Sequence, residues 1–596
     1  MTQKDFFVDL REEAFQRGKR LAKRSDRFVL ARTVSFLGAI FAFAAGWDGA
    51  LSGKFFGVLL LIVFFLLVRE HGQTKRRILQ SDSALAVVQD WLARFDNKWK
   101  ELPADGQAYL KDDMPQARDL NLLGHASMYQ YLCQARTKLG QDKLAAALSP
   151  VPPAKETILA RQQAVRELMA HPRFLVEVGT LAALLPPGHD TKPLIDGLNA
   201  QVKENPALRV LSFLLPLALL VTAVLAACGN LTWYVPGFVL LVQFVLTWSF
   251  ENRTESILLP LASLHQELQL YTQIFRKLEH TTVQAPLLRE LQQKLRPGVG
   301  HGSASDGIRG LSRLMQGVEA RRNLVGFILL NALFLWDFHC AHLFLRWRET
   351  ARKNLADWLD AYAEFELLTS LATPGLTRGL HAFPTLLDAS APHVTMKNAV
   401  PLLLPEDQAV PNDADFPAIT CIITGSNMSG KTTYMRTLAT NVILAYAGAP
   451  VCAESMELTR MRVYTSMRIA DDLEHGISTF YAELLRIKSM IEASKENTPL
   501  LLCIDEIFRG TNSADRIIGA KAAIEHLTGP HCITLVTTHD FELCNLTAAD
   551  GTPVENLHFE ESYENDELHF DFKVKPGRCH TTNAKYLLKM AGILTN

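Results

Sequence analysis

The sequence predicts a multidomain chain, helical over most of its length and α/β at its C-terminal end. Three observations predict this. Residues 210–250 carry no charged side chain. The polar regions mix charged and apolar residues at helical spacing, as in "RQQAVRELM" and "NLADWLDAYAEFELLTSLA". After about Pro392, short β-rich runs such as "AITCIITG", "LLLCIDE" and "CITLVTTH" alternate with helical stretches. At 596 residues the chain is too long for one core. The expected units are a basic tail (1–28), an apolar hairpin (29–68), a helical region (69–206), a second apolar hairpin (207–251), a helical region (252–395) and the α/β domain (396–596).

Taking the apolar segments first, 210–250 is long enough to cross a hydrocarbon core of roughly 30 Å twice. Gly229-Asn230 is the evident turn, Arg209 and Glu251 bracket the hairpin, and Trp233, Tyr234 and Trp248 suit the interfaces. The alternative is a buried hairpin in a large soluble core. A second pair, 33–47 and 55–68, has charge-free runs short of the roughly 17–25 residues a span needs. Arg32, Lys54 and Arg69 would snorkel to complete it, and an interfacial or core hairpin is its alternative. Arg17, Lys19, Arg20, Lys23, Arg24 and Arg27 precede the pair and Lys75, Arg76 and Arg77 follow it, whereas the loop between holds only Asp48 and Lys54. The positive-inside rule then puts both termini and both large polar regions in the cytoplasm of a multi-pass protein of the inner (cytoplasmic) membrane. A third apolar stretch, 324–336, is shorter and reads as the start of a long core helix.

In the polar regions, breaks fall at "SPVPP" (149–153), "LLPPGHD" (184–190) and "RPGVGHGSASDG" (296–307), the last a mobile loop by composition. No internal repeat is evident. Lys plus Arg (61) nearly balance Asp plus Glu (62), so no bulk field draws the chain to nucleic acid. Nine scattered cysteines without metal-ligand spacing read as reduced thiols, with neither disulfides nor zinc expected.

The α/β domain carries the chemistry. "GSNMSGKT" (425–432) matches G-x-x-x-x-G-K-[ST] and lies between an apolar strand and a helix, the context this phosphate-binding pattern requires. Gly425, Ser426, Asn427, Met428, Ser429, Gly430, Lys431, Thr432 and Thr433 would form the cradle. Its backbone N–H groups and the helix N-terminus face the phosphates, Lys431 neutralises the terminal ones, and Thr432 coordinates Mg²⁺. "PLLLCIDEI" (499–507) delivers two acids at a strand end: Asp505 for the Mg²⁺ shell and Glu506 to polarise the attacking water. "LVTTHD" (535–540) ends another strand at His539, placed to sense the γ-phosphate of ATP. A lone histidine is more often structural; three strand ends in this order weigh against that reading.

These segments resemble the MutS family of DNA mismatch-repair ATPases. "ITGSNMSGKTTYMR", "PVCAES" (450–455), "ADDLEHGISTF" (470–480), "DEIFRGTNSAD", "TTHDFEL" and "NLHF" are similar to that family's ATPase motifs in order. "DLNLLGHASMYQYLCQARTKLGQDKLAAAL" (119–148) and "ILARQQAVREL" (158–168) resemble its helical core. The resemblance implies an ABC-like ATPase domain, a lever region of long helices, and a homodimer with composite sites in which Ser478 and Thr479 reach the partner's γ-phosphate. It also implies that "VPND" (410–413), with Asn412, approaches the adenine, and that the partner is DNA. The sequence departs from the family in three ways. Only 118 residues precede "DLNLLG", leaving no room for the mismatch reader. The chain stops at "LLKMAGILTN" without a long extension. Ser426 and Ser429 replace the usual proline and glycine.

The expected function is a membrane-anchored ATPase that dimerises on ATP and couples hydrolysis to mismatched, damaged or branched DNA. The alternative is an ATPase coupled to membrane proteins or lipids with no DNA role. Basic residues between Arg253 and Arg322 suit phosphates, but interspersed glutamates make that stretch read as a solvated helix face. A transporter is disfavoured, because 210–250 offers no ionisable residue.

Overall fold

The computed structural model describes residues 2–46, 51–186, 188–192, 206–262, 265–296, 303–319, 324–468, 479–508, 513–547, 551–564 and 567–579. Two long helices form the first hairpin: α1 (Gln3–Ala45) and α2 (Leu51–Phe95). The basic segment expected as a separate tail at 1–28 is therefore the first part of α1. Thr2 and Asp5 close a capping box at its start, and no proline interrupts the run into the apolar half. The expected boundary at 68/69 likewise falls inside α2. The helices pack closely: a Cβ added to Gly57 would lie 2.9 Å from the ring of Phe43.

The second hairpin is α3 (Pro206–Ala227) and α4 (Tyr234–Ala262), joined through Gly229 in the left-handed region (φ 80°), which glycine adopts without a Cβ clash. The expected boundary at 251/252 lies within α4. Among the described residues, three helices, Gln3–Ala45, Ser52–Phe95 and Ala207–Ala227, are long and apolar enough to cross a membrane, and Tyr234–Phe250 is a shorter apolar helix. Large apolar side chains stand exposed along both hairpins, among them Phe41 (76%), Phe65 (66%) and Trp248 (69%).

The third apolar stretch is not the start of one continuous helix. α5 (Leu324–Phe334) ends at Leu335, whose backbone is left-handed (φ 49°), and α6 (Trp336–Leu371) leaves at an 80° bend. Side chains enforce the break. The Asn331 amide oxygen accepts from the Asp337 backbone N–H at 3.0 Å, capping the new helix, and the Trp336 indole donates to the Gly317 carbonyl at 2.9 Å. Of the loop expected at 296–307, residues 297–302 lie outside the described residues, and the remainder is not all loop, because a helix begins at Ala304 (Ala304–Glu319).

Short helices between residues 115 and 182 and between 265 and 319 pack around α6, as their mixed apolar and charged spacing predicts. The α6 residue Glu366 is buried and ties this packing together. It accepts from the backbone N–H groups of Arg136 (2.9 Å) and Thr137 (3.2 Å) and from the Thr137 hydroxyl.

A four-stranded sheet, β1 (Thr385–Leu386), β2 (Val394–Ala399), β3 (Asn412–Phe416) and β5 (Ser455–Leu458), has the order β1-β5-β2-β3. The expected boundary at 395/396 falls inside β2. The main sheet holds β4 (Ile419–Thr424), β6 (Arg462–Ser466), β7 (Leu500–Asp505), β8 (Cys532–Thr537), β9 (Val554–Glu564) and β10 (Glu567–Pro576), in the order β10-β9-β4-β8-β7-β6. All but β10 run parallel, and β4, β7 and β8 are apolar and buried nearly throughout, as a sheet covered on both faces requires. Helix α7 (Lys431–Ala447) packs on the face that joins the helical region. Helices α8 (Thr479–Ser494) and α9 (Ser513–Leu527) pack on the other.

Burial raises the Glu366 pKa from its ordinary 4.5 to about 7, against the opposing effect of its hydrogen bonds. Folded protein thus holds a proton there that unfolded chain releases, so this contribution to stability is complete below pH 4.5 and is lost as pH rises through about 7. Urea denaturation of wild type and Glu366→Gln across that window is expected to show the stability difference shifting against wild type as pH rises. A constant difference would contradict the assignment.

Candidate functional site

Because β4, β8 and β7 are adjacent and parallel, their C-terminal ends open on one edge of the sheet, where parallel α/β sheets hold ligands. The 425–430 loop leaves β4 at this edge. Gly425 has φ 144°, and a Cβ there would lie 2.8 Å from the Phe559 carbonyl oxygen, so only glycine fits. Gly430 (φ 111°) turns the chain into α7, whose first residues are Lys431 and Thr432. Met428, also at positive φ (69°), stands exposed at the loop apex beside Asn427. The Lys431 ammonium curls under the loop and donates to the carbonyls of Gly425 (2.8 Å) and Ser426 (2.7 Å), while Ser429 Oγ donates to the same Ser426 carbonyl (2.9 Å).

The two acids behave differently. Thr432 Oγ1 donates to both Asp505 oxygens (3.0 and 2.9 Å), and Thr537 Oγ1 donates to Asp505 Oδ1 at 2.6 Å. These are hard oxygen donors gathered at the mouth of the loop, a set that fits Mg²⁺. Glu506 has left-handed backbone (φ 54°), its N–H bonded to Thr537 through the carbonyl (3.1 Å) and the hydroxyl (3.0 Å). Its Oε1 lies 3.4 Å from His539 Nε2, and that nitrogen is 2.9 Å from Asn427 Oδ1. His539 therefore bridges the loop and Glu506. The adjacent Asp540 holds Arg516 of α9 through two bonds of 2.8 Å, and that carboxylate raises the pKa of the guanidinium.

Beside the loop, a cavity of about 520 Å³ is lined by Asn412, Thr433, Tyr434, Phe559 and Phe572 among others, a size suited to a small organic ligand. The amide of Asn412 is committed to β10: it donates to the Phe572 carbonyl (2.9 Å) and accepts from the Val574 N–H (2.9 Å). It shapes the wall. Ser478 lies outside the described residues, and Thr479 begins α8.

Several contributors escaped the sequence reading. Thr537 fixes both acids at once. Glu561 of β9 accepts from Ser426 Oγ at 2.8 Å, which tethers the loop to that strand. Asp119, fully buried in the helical region, accepts from Thr465 Oγ1 (2.7 Å), from the backbone N–H groups of Met467 (3.1 Å) and Arg468 (3.0 Å), and from Arg486 of α8 (3.2 Å). On the same helix, Glu483 accepts from the Phe508 N–H at 2.5 Å, just beyond Glu506. Asp119 and Thr537 stand at the head of the quoted segments "DLNLLG" and "TTHDFEL", and Glu483 and Glu561 are isolated polar residues; neither kind of signal names a partner.

With this geometry in hand, comparison with known proteins gives a consistent result. The family model of MutS domain V matches residues 421–595. The chain is 36% identical over 181 residues to the DNA mismatch repair protein MutS 2 of Haloarcula marismortui, covering 30% of this chain and 19% of that protein. It is 32% identical over 247 residues to the DNA mismatch repair protein MutS of Natronomonas pharaonis, covering 41% of this chain and 28% of that one. Against the protein of the same name from Thermus thermophilus it is 33% identical over 257 residues, 42% and 30% of the two chains. The chain spans less than a third of the length of each of these relatives.

Replacing the buried Thr537 by valine keeps its shape and removes the hydroxyl that serves Asp505 and the Glu506 N–H. Unfolding free energy from urea titration is expected to drop by about 1–3 kcal/mol; no drop would mean that the hydroxyl does not hold the two acids.

Proposed function

We propose that the chain is a MutS-like protein, on the match of residues 421–595 to MutS domain V and its similarity to MutS proteins, and that it is a membrane-anchored ATPase that works as a dimer and couples Mg²⁺-dependent ATP hydrolysis to DNA binding. The observation that carries the ATPase reading is the convergence of Lys431, Thr432, Asp505, Glu506 and His539 at one sheet edge, from three separate strand ends.

In this reading the loop Gly425 to Gly430 and the N-terminus of α7, with Thr433, receive the phosphates, and Lys431 exchanges its two loop carbonyls for phosphate oxygens. Thr432 and Asp505 hold Mg²⁺, which supplies charge neutralisation at the phosphates when bound. Glu506 takes the proton of the attacking water. His539, tethered to Asn427, reports on the terminal phosphate. The 520 Å³ cavity walled by Asn412 takes the base. Ser478 and Thr479 of a second copy complete the site, as the family resemblance implies.

Exposed apolar faces along α1–α2 and α3–α4 support anchoring in a bilayer, with the ATPase on the cytoplasmic side. The DNA part rests on the relatives, whose names assign them to mismatch repair. One observation favours the second reading, coupling to proteins or lipids without DNA. In the stretch considered for phosphate contact, Lys277 pairs with Glu177 (2.5 Å), Lys294 with Glu290 (3.0 Å) and Arg309 with Asp306 (2.8 Å). Arg321 and Arg322 lie outside the described residues.

ATP hydrolysis in lipid nanodiscs tests both readings. Lys431→Ala is expected to lose nucleotide binding, and Glu506→Gln to bind ATP while hydrolysis falls at least about 100-fold. Mismatched or branched duplexes are expected to change the wild-type rate; hydrolysis indifferent to every DNA would leave the second reading standing instead.

A further inference from the structure

Where the basic part of α1 meets its apolar part, the first hairpin contains a cavity of about 550 Å³. Arg20, Lys23, Arg24 and Arg27 line it from one face of α1, at the three- and four-residue spacing that stacks side chains on a helix. Phe28 and Ala31, with Leu67 from α2, form its apolar floor. The Arg24 guanidinium lies 5.4 Å from the centre of the Phe28 ring, and Arg20 Nε donates to the Gln16 carbonyl. Among the described residues, none of the four cations lies within 4 Å of a carboxylate, although Lys4 of the same helix pairs with Asp96 at 2.8 Å. At this level the hairpin is fixed by the buried His71, whose ring nitrogens lie 3.2 Å from Ser25 Oγ and 3.3 Å from Arg32 Nη1. Immediately beyond, Val29, Leu30, Val34 and Leu37 stand exposed on α1 and Ile62, Phe65 and Leu66 on α2.

We propose that this cavity binds an anionic phospholipid, its phosphate among Arg20, Lys23, Arg24 and Arg27 and its acyl chains against Phe28, Ala31, Leu67 and the exposed apolar face beyond. The proposal rests on the membrane reading given above. Four cations without carboxylate partners complement a phosphate, and the apolar floor complements what a lipid attaches to it. Basic pockets at the cytoplasmic side of membrane helices serve this purpose generally. The placement also fits: from Phe28 back to Arg20 the helix rises about 12 Å, enough to cover one headgroup layer. A free phosphate would have no use for the floor, and a duplex would have to approach where the apolar band places the bilayer.

The test uses the full chain in neutral detergent, titrated with phosphatidylglycerol or phosphatidylcholine and read by native mass spectrometry. Wild type is expected to retain phosphatidylglycerol in preference to phosphatidylcholine. Lys23→Gln/Arg24→Gln/Arg27→Gln is expected to weaken that binding by about fivefold per residue, while Arg76→Gln/Arg77→Gln, outside the cavity, leaves it unchanged. Equal retention of both lipids, an unaffected triple variant, or displacement of the lipid by inorganic phosphate or by duplex DNA overturns the proposal. If the triple variant also loses ATP hydrolysis, single Arg24→Gln and Arg27→Gln variants are titrated, and no loss in either overturns it. Alkaline extraction of membranes separates the two layers of inference. Release of the wild-type chain defeats the membrane reading and this site with it, whereas a retained chain with no lipid preference defeats the site alone.

Discussion

The buried carboxylate of Asp119 is the polar contact that, with the shared apolar core, fixes the main sheet against the helical region. An ionised carboxylate away from water is tolerable only when its lone pairs are filled, and here the partners come from the end of β6, the residues after it, and Arg486 of α8. None of those partners lies in the helical region that supplies the acid. Sliding the sheet against the helices would strand the charge, so the two move together. Helix α8 is pinned twice, by Arg486 to Asp119 and by Glu483 to the turn after Glu506. A shift of α8 is therefore felt both at the turn carrying Glu506 and at the helical core.

Backbone conformation at that turn follows the same logic. Glu506 and Phe508 both have positive φ, which side-chain-bearing residues adopt only when their surroundings force it. The forces are identifiable: Thr537 binds the N–H of Glu506, and Glu483 binds the N–H of Phe508. The strained geometry aims Glu506 at His539 rather than back along the strand, and it persists because neighbours on β8 and α8 over-determine it.

Much of this was legible in the sequence because it is encoded locally. Charge-free runs announce the exposed apolar helices, the Gly-x4-Gly-Lys-Thr spacing announces the β4–α7 loop, and apolar runs ending in acids or histidine announce the strand ends of the site. What escaped is encoded at long range. The bend at Leu335 depends on an amide four residues upstream capping a helix not yet begun, so 324–336 looked like an unbroken helix start. The division at 28/29 falls inside α1, because a change from basic to apolar side chains does not interrupt helical hydrogen bonding. Glu366, Asp119 and Thr537 were invisible as organisers, since their partners lie far away in the chain or on a neighbouring strand.

The hydrophobic core is continuous from Phe7, stacked on Trp91 near the start of α1, through the helices around α6 to Phe559 beside the 425–430 loop. Continuity of this kind is a statement about cooperativity. When segments share one apolar core, none can be hydrated without exposing surface that belongs to the others, so the free energy of unfolding is common property rather than a sum of regional terms. The ends of α1 and α2 around Phe7 and Trp91 therefore share that common stability, whereas among the described residues none of the apolar stretch 29–68 belongs to the core. Loosening that end of the hairpin is therefore felt in the thermal stability of the sheet that carries the 425–430 loop.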